Sequence, residues 1–151
     1  MKLAKPLPKI NADTQTFWDG CRQHVFRIQK CGDCGHLRWP PAFLCPNCLS
    51  KNTQWIAASG RGTVYSYAVY HVAFDPAFQE DLPYVVALVA LEEGPHILSN
   101  IVGCNPQEVI CDMPVEVIWN ETTEAVTLPQ FRPADPSRRE SIDRLDRKNP
   151  V

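Results

Sequence analysis

The sequence has 151 residues, 44% of them hydrophobic and 21% charged, and its formal net charge is −2. This length predicts one domain or two small ones, with enough apolar residues for a core. The slight acidic excess disfavours nucleic-acid binding, which usually needs a basic surface. No signal peptide or transmembrane run is visible, so we expect a cytoplasmic protein with reduced thiols.

The first 24 residues predict an N-terminal arm followed by a short helix. Two prolines indicate an extended arm. Phe17, Trp18 and Cys21 would form the apolar stripe of the helix, which we expect to end by about Gln23. Gly20 weakens this helix, and a helix so short must dock on the rest of the protein.

Two CxxC pairs dominate the next part of the chain. Cys31 and Cys34 are followed, after ten intervening residues, by Cys45 and Cys48. Four thiolates in two close pairs are the ligand set of a tetrahedral structural Zn²⁺ site. With all four ligand positions filled by protein, the metal would hold the fold and would leave no position for substrate.

Disulfide formation, redox chemistry and iron binding are weaker interpretations of these cysteines. Disulfides suit a secreted chain, and a redox CxxC would be single and near a βαβ pattern. Iron in a rubredoxin-like Cys₄ site is chemically possible, and sequence alone barely separates it from zinc. Three short strands, at residues 25–30, 36–39 and 52–58, surround the cysteines. The sequence therefore predicts a zinc ribbon over residues 25–58.

Residues 59–132 change character to long β segments. The predicted strands are residues 63–72, 83–91, 96–102, 115–119 and 125–131. The second is almost continuously apolar, as a strand buried on both faces would be. Five strands without crossover helices predict a five-stranded antiparallel barrel, and the OB-fold is the commonest of this size. The fold class is thus mainly β.

Two segments flank this barrel. Gly60 and Gly62 lie at its start and permit either a hinge or a tight turn into the first strand. Residues 133–151 form a charged C-terminal tail, in which only Ile142 and Leu145 could anchor a helix. We expect either a solvated tail or a short helix that orders on a partner.

A series of short motifs runs through nearly the whole chain. In order, they are Trp18, Gln29-Lys30-Cys31, Cys34-Gly35, Pro40-Pro41, Cys45-Pro46, Cys48, Gly60-Arg61-Gly62-Thr63-Val64-Tyr65-Ser66, Leu82-Pro83-Tyr84-Val85-Val86-Ala87-Leu88-Val89, Glu93-Gly94, Met113-Pro114-Val115-Glu116-Val117, Leu128-Pro129 and Phe131-Arg132-Pro133. Through these motifs the stretch 29–128 resembles a family of zinc-ribbon/OB-fold proteins associated with acyl-CoA metabolism. The sequence departs from the family at Leu49 and Asp112, where glycine is usual.

The resemblance implies a non-catalytic accessory subunit. Similar proteins are small subunits of heteromeric thiolases, acyltransferases and hydratases, and a separate thiolase-like subunit carries the catalytic cysteine. The most similar-looking members belong to two-subunit thiolases of the benzoylsuccinyl-CoA type. A second branch serves a three-component phloroglucinol acetyltransferase, and the motifs do not decide between the two. The resemblance therefore implies a thiolase-like partner and a role in binding acyl-CoA or CoA. No membrane partner is expected, because no transmembrane run is visible.

We identify no catalytic residue in this chain. Cys21 and His24 lie three residues apart and would share a helix face. Free cysteines are mostly inert without a cationic neighbourhood, so Cys21 and Cys111 are expected to be small core residues and Cys104 a loop thiol.

Two further sets of residues are candidates for binding. Arg61, Lys51 and Arg38 could contact CoA phosphates, since a cation near a phosphate makes charge-assisted hydrogen bonds. Ordinary surface charge accounts for them equally well. The ribbon is expected to expose three apolar side chains for docking on a partner subunit. They are Trp39, Phe43 and Leu44.

A nucleic-acid-binding or adaptor module is the alternative function. Tyr65, Tyr67, Tyr70 and Trp55 resemble the aromatic platform on which bases stack in OB-folds. Strict alternation would put Tyr65 and Tyr67 on one face of their strand and Tyr70 on the other. Cross-strand packing is therefore the favoured role of these aromatic residues.

Overall fold

The computed structural model describes residues 4–135, which form one α-helix, eight strands and two short 3-10 helices. The helix α1 spans Gln15–Arg22, and the strands are β1 (Arg27–Cys31), β2 (Leu37–Arg38), β3 (Thr53–Ala57), β4 (Arg61–Tyr70), β5 (Tyr84–Leu91), β6 (His96–Ile101), β7 (Pro114–Glu121) and β8 (Thr127–Pro133). The 3-10 helices span Pro76–Asp81 and Pro106–Glu108. The mainly β prediction is confirmed. Most of the predicted C-terminal tail, residues 136–151, lies outside the described residues.

The three ribbon strands form one antiparallel sheet in the order β2-β1-β3. Gln29 in β1 pairs with Arg38 in β2 on one side and with Trp55 in β3 on the other. Because β1 ends at Cys31 and β2 begins six residues later, the first CxxC pair occupies the turn between them. The predicted ribbon is confirmed.

The next five strands form a closed barrel in the order β4-β5-β6-β8-β7. Four of its five strand pairs are antiparallel, but β6 and β8 are parallel and meet at Ile101 and Phe131. The prediction of an entirely antiparallel barrel is therefore wrong at this one pair. This parallel pair completes the ring of five strands and so closes the barrel, although β6 and β8 are not consecutive in the sequence.

Strand β5 has one buried face and one half-buried face. Val85, Ala87, Val89 and Leu91 are buried, whereas the residues between them are half-buried. The prediction of a strand buried on both faces is wrong, because only the inner face is packed against the core. The outer face is apolar in sequence but only half-buried, and at one end the Tyr84 ring lies 6.0 Å from that of Phe78.

Helix α1 joins the ribbon and the barrel into one core. Phe17 and Cys21 are buried, and the Phe17 ring lies 5.7 Å from that of Phe26, centroid to centroid. The Phe26 ring in turn lies 6.3 Å from Phe131 in the barrel. Gly20 allows this docking, since a Cβ there would lie 2.7 Å from the Val25 carbonyl oxygen. No helix in this part of the chain is long and apolar enough to cross a membrane.

The connection from ribbon to barrel is a fixed turn. Gly60 has φ +72°, and its carbonyl accepts a hydrogen bond from the Val117 N–H at 2.7 Å. Gly62 lies so close to β5 that a Cβ would be 2.3 Å from the Ala90 carbonyl oxygen. The Glu93 carboxylate accepts the Ser59 N–H at 2.6 Å. Of the two predicted possibilities, these contacts match the tight turn and not the hinge.

Candidate metal centre and neighbouring surfaces

Two turns of nearly identical backbone geometry present the four cysteines. In the first, the Gly35 N–H donates to the Cys31 carbonyl at 2.9 Å. In the second, the Leu49 N–H donates to the Cys45 carbonyl at 2.8 Å. Gly35 has φ +74° and Leu49 has φ +60°, so both turns end in the left-handed region. This region suits glycine and strains leucine.

The four sulfurs form a compact cluster. All four Sγ atoms lie within 4.8 Å of one another, and the Cys31–Cys48 and Cys34–Cys45 sulfur pairs are both 3.6 Å apart. None of them forms a disulfide. Ligands 2.3 Å from a tetrahedral zinc ion lie about 3.8 Å apart, so the cluster fits zinc with small adjustments. The sulfurs of Cys31, Cys34, Cys45 and Cys48 are the atoms that would hold the ion.

Hydrogen bonds lower the thiol pKa at two of these cysteines. The Asn47 amide lies 3.5 Å from Cys34 Sγ and is the main cause that lowers the pKa of Cys34 to about 6. The backbone N–H of Cys34 lowers the pKa of the Cys31 thiol. At Cys48 the backbone N–H of Ser50 favours the thiolate, but neighbouring sulfurs and burial outweigh it and raise the pKa to about 12. Zinc binding would release that proton.

A carboxylate ties the first cysteine turn to the segment after the second. Asp33 accepts hydrogen bonds from the Ser50 hydroxyl and, at 2.8 Å, from the Asn52 side-chain amide. The Ser50 hydroxyl in turn accepts the Asn52 N–H at 2.9 Å. The Ser50 hydrogen bond, together with that of Asn52, lowers the pKa of Asp33. These contacts hold the two turns in register for a shared ion.

A buried polar network supports the loop between the turns. Arg38 is 4% exposed, and its guanidinium donates to the Gln29 side chain at 2.8 Å and to the Thr53 hydroxyl at 2.6 Å. The same guanidinium donates to the Ala42 carbonyl at 3.2 Å, while the Ala42 N–H donates back to Gln29 at 2.9 Å. A guanidinium enclosed in this way is not presented to a ligand, so we leave Arg38 out of the proposed CoA contacts.

The other two predicted CoA contacts remain on the surface. Lys51 is exposed, and its Nζ lies 5.3 Å from the Phe43 ring centroid. Arg61 is half-exposed at the start of β4 and pairs with Glu92 at 3.1 Å. Lys51 lies on the ribbon and Arg61 on the barrel, and both cationic groups reach solvent.

The predicted docking residues divide into two groups. Phe43 and Leu44 are 61% and 41% exposed, as predicted. Trp39 is half-buried, because its ring packs on Phe17 and the core. Leu49, which we did not predict, is 73% exposed. We name Phe43, Leu44 and Leu49 the knuckle patch, since all three flank the second cysteine turn.

A cavity of about 940 Å³ lies between the N-terminal arm and one end of the barrel. Tyr84, Asn100 and Glu121 line it together with Lys5 and Asp81. The Lys5 ammonium is 2.5 Å from the Asp81 carboxylate, so this cation is already paired. The cavity therefore does not have the charge of a phosphate-binding site.

Comparison with known proteins places the chain in a family. Residues 18–54 match the model of the rubredoxin-like zinc ribbon domain of ChsH2, and residues 55–120 match that of the ChsH2 C-terminal OB-fold domain. The chain is also 40% identical to a DUF35 domain-containing scaffold protein of Methanocaldococcus jannaschii, over 63% of this chain and 67% of that protein.

The chain belongs to the DUF35 family of zinc-ribbon and OB-fold proteins. Its Cys₄ cluster is accordingly the structural zinc site of a rubredoxin-like ribbon. A solved structure described as "Ltp2-ChsH2(DUF35) aldolase" contains a chain 43% identical to this one, with a TM-score of 0.78, covering 85% of this chain and all of that chain. A DUF35 protein of unknown function from Sulfolobus solfataricus, 18% identical with a TM-score of 0.59, shares the fold.

Two further relatives are larger proteins. The probable enoyl-CoA hydratase alpha subunit of Thermomonospora curvata is 43% identical over 89% of this chain. The 3-oxo-4,17-pregnadiene-20-carboxyl-CoA hydratase alpha subunit of Mycobacterium tuberculosis is 39% identical over 74%. This chain spans 42% and 35% of their respective lengths. It therefore corresponds to one part of each relative.

Among residues 4–135, no hydrogen bond joins one of the remaining thiols to a histidine side chain. Cys21 is fully buried, and burial raises the pKa of its thiol to about 12. Burial also raises the pKa of Cys104. Cys111, predicted to be a core residue, is exposed. The His24 ring points to the barrel, where it stacks on Trp119 and lies 3.1 Å from the Glu121 carboxylate.

Proposed function

We propose that this DUF35 chain is a non-catalytic, zinc-binding accessory subunit of an acyl-CoA enzyme. It docks on a thiolase-like catalytic subunit and helps to bind the CoA ester. The observation that carries the proposal is the match, along the full length of the related chain, to the DUF35 chain of a solved aldolase that also contains Ltp2. Names of hydratase alpha subunits among the relatives support a role in acyl-CoA chemistry.

The chemistry of the side chains supports a role without catalysis. A Cys₄ zinc site has no open coordination position, so it provides neither a Lewis acid nor an activated water. Acyl transfer needs a nucleophile, a base and donors for an oxyanion. Among residues 4–135, the buried Cys21 has a strongly raised pKa and the His24 ring is held by Trp119 and Glu121. Neither group is poised for thiolase chemistry.

The knuckle patch is the proposed contact with the catalytic subunit. Phe43, Leu44 and Leu49 expose apolar surface on a ribbon that has few other places to bury it. An exposed apolar cluster with a polar rim is typical of an interaction surface. Burying an aromatic anchor at such an interface contributes about 2 kcal/mol or more. The structural zinc would keep this patch rigid.

Lys51 and Arg61 are the proposed contacts with the CoA phosphates. Lys51 adjoins the knuckle patch through Phe43, so a cation would lie at the edge of the docked surface. The Glu92 carboxylate partly neutralises the charge of Arg61. The Arg61 guanidinium would therefore have to contact Glu92 and a CoA phosphate at the same time. Lys51 is therefore the stronger candidate. Its replacement by alanine should raise the KM for the CoA ester more than it lowers kcat.

The substrate is proposed from resemblance. The sequence resembles subunits of benzoylsuccinyl-CoA thiolase, so an aromatic β-ketoacyl-CoA is the first substrate to test. The names of the relatives include an aldolase and hydratases, and a complex of either kind would also use an acyl-CoA or a related thioester. Assays should therefore include thiolytic, acyl-transfer, aldol-cleavage and hydratase reactions.

Co-purification tests the proposal. The tagged, zinc-replete protein is bound to resin, exposed to native extract from its source, and eluted for mass spectrometry. A stoichiometric thiolase-like partner supports the proposal, and acyl-CoA turnover should require both proteins. Turnover by this chain alone, or capture of no thiolase-like partner at saturating extract, would contradict it.

Variants then locate the contact. Phe43→Ala should weaken assembly at unchanged zinc content, because Phe43 is mostly exposed and makes few internal contacts. Val72→Ala is the matched control, since Val72 is 65% exposed on a barrel loop and is not part of the knuckle patch. Salt-sensitive binding of an oligonucleotide by the wild type, without any thiolase-like partner, would instead favour the nucleic-acid-binding alternative.

A further inference from the structure

The second half of β4 has an unpaired edge. Strand β4 pairs with β7 only at Arg61, Gly62 and Thr63, and Val64 then exchanges hydrogen bonds with the loop before β7. Beyond this point the strand continues to Tyr70, paired on its other side with β5. Among residues 4–135 no backbone group bonds to the open side of residues 66–70.

This open edge is regular. A β-bulge shifts the register between Val64 and Ser66, and the next five residues then match β5 without interruption, from Ser66 opposite Leu88 to Tyr70 opposite Tyr84. In an antiparallel ladder, alternate residues direct both their N–H and C=O groups away from the partner strand. Part of this segment therefore presents backbone donors and acceptors to solvent.

Apart from the bulge at its start, the edge lacks the usual protection against pairing. Soluble proteins guard such edges with lysine, proline, inward-pointing charges or a covering loop. Residues 63–74 contain no Asp, Glu, Lys, Arg or Pro. Tyr65, Ser66, Tyr67 and Ala68 are all exposed, so no described segment covers their side chains. An edge with these properties fits the addition of another extended strand.

The sequence of the edge is complementary to itself. In an antiparallel pair of two copies centred on Ala68, Ala68 faces its own counterpart, Tyr67 faces Val69, and Ser66 faces Tyr70. In this register no two charges of the same sign face each other. At both flanking positions a large side chain lies opposite a smaller one. Aromatic and β-branched cross-strand pairs are favourable in sheets.

We propose that residues 66–70 form a self-association edge, through which two copies of this chain pair antiparallel about Ala68. The two barrels would then share one continuous sheet around a two-fold axis. This inference goes beyond the proposed function, because it concerns contacts between copies and does not depend on the knuckle patch. The interface is short, so the dimer is expected to dissociate in the micromolar range.

Sedimentation velocity over a concentration series tests the proposal. The wild-type protein is expected to shift with concentration from the 17.1 kDa monomer towards twice that mass. Ala68→Lys and Ala68→Glu each place like charges opposite one another at the two-fold axis and should weaken the dimer on the order of tenfold. An equimolar mixture of the two variants should restore dimerisation, because it pairs Lys with Glu.

Leu98→Lys is the matched control. Leu98 is 67% exposed on β6, and β5 separates it from the open edge, so this variant should dimerise like the wild type. Circular dichroism and zinc content verify that every variant is folded. Amide exchange at residues 66–70 should slow at high protein concentration in the wild type but not in Ala68→Lys.

Three outcomes would overturn the inference. The first is a wild-type protein that stays monomeric at every concentration. The second is a dimer that Ala68→Lys leaves unchanged, or that mixing the oppositely charged variants fails to restore. The third is an Ala68→Lys variant that loses only its binding to the catalytic subunit, because the edge would then accept a strand of that subunit.

Discussion

The indole of Trp39 packs on the ring of Phe17, with centroids 4.2 Å apart and planes inclined by 50°. Phe17 is buried on α1, whereas Trp39 follows the last residue of β2 in the ribbon. The contact therefore joins the helix to the zinc ribbon beside the barrel core. It makes Trp39 a structural residue and distinguishes it from its exposed neighbours Phe43 and Leu44.

Trp39→Ala is expected to destabilise the protein by about 2–3 kcal/mol. Removing a fully buried tryptophan costs about 3–5 kcal/mol, and Trp39 is only half-buried. Urea unfolding of the zinc-replete protein measures the change. Phe43→Ala is the control and should alter the unfolding free energy by less than about 0.5 kcal/mol. Equal losses in both variants would contradict the assignment of Trp39 to the core.

Leu49→Gly is expected to stabilise the ribbon by about 0.5–1 kcal/mol. Leu49 adopts φ +60°, a conformation that costs a residue with a side chain about 1 kcal/mol, and its side chain is mostly exposed. Thermal melting of the zinc-replete protein measures the gain. The same variant should weaken docking to the catalytic subunit, because it removes one residue of the knuckle patch.

Asp112→Gly is the matched control for Leu49→Gly. Asp112 has φ +64° but lies in the loop before β7, where its N–H donates to the Val64 carbonyl of the barrel at 2.7 Å. It should gain less stability than Leu49→Gly, because aspartate adopts positive φ more readily than leucine, and it should leave docking unchanged. If both variants dock equally well, the exposed Leu49 side chain has no role in the interface.

One zinc ion per chain is expected, and Cys45→Ser should release it. Cys45 is fully buried, and its sulfur lies 3.6 Å from that of Cys34, so a serine leaves an incomplete ligand set. Metal binding is coupled to the folding of such ribbons, and the variant should lose the ribbon's structure. Elemental analysis and NMR check both effects. Stoichiometric iron with no zinc, or full zinc retention in Cys45→Ser, would be inconsistent with this site.

Stability should fall at high pH because of Cys21. Burial raises the pKa of this thiol from 9.0 to about 12. Above pH 9 the unfolded chain loses the proton while the native protein keeps it, so the free energy of unfolding decreases by about 1.4 kcal/mol per pH unit. Denaturant titrations of the wild type and Cys21→Ala between about pH 9 and 11 isolate this slope. Parallel pH profiles would show that Cys21 ionises freely in the native protein.

Gly62→Ala should destabilise the barrel by about 1–3 kcal/mol. An added Cβ would lie 2.3 Å from the Ala90 carbonyl oxygen and 2.9 Å from the nearest Val89 carbon, so β4 and β5 would have to separate. Gly103→Ala is the comparison, since its Cβ would meet no atom closer than 3.6 Å and only its φ of +74° is unfavourable. An unchanged unfolding free energy in Gly62→Ala would show that the turn can relax.

The zinc site was predictable because the spacing of the cysteines along the sequence is enough to determine it. Two residues between each cysteine pair allow one turn to direct two sulfurs at one ion, whatever the rest of the chain does. The family's preference for glycine at the positions of Leu49 and Asp112 has an equally local cause, since both residues have positive φ. The existence of the five barrel strands was also predictable, because short runs rich in β-branched and aromatic residues favour strands.

Tertiary structure alone decided which apolar residues remain exposed. Trp39 and Phe43 are both aromatic residues of one loop, yet only Trp39 meets Phe17, which comes from a helix outside the ribbon. Arg38 looked like a surface cation, but pairing of β1 with β2 and β3 encloses its guanidinium beside Gln29 and Thr53. Burial of this kind depends on contacts distant in sequence.

Strand alternation failed where the backbone is irregular. A strict period of two places Tyr65 and Tyr67 on one face, but the bulge at Tyr65 breaks that period. The Tyr65 ring instead lies 4.7 Å from His96 on the outer face, while Tyr67 pairs with the inward-facing Ala87. The parallel pairing of β6 with β8 is equally non-local, because barrel closure, and not either strand's own sequence, brings Ile101 to Phe131.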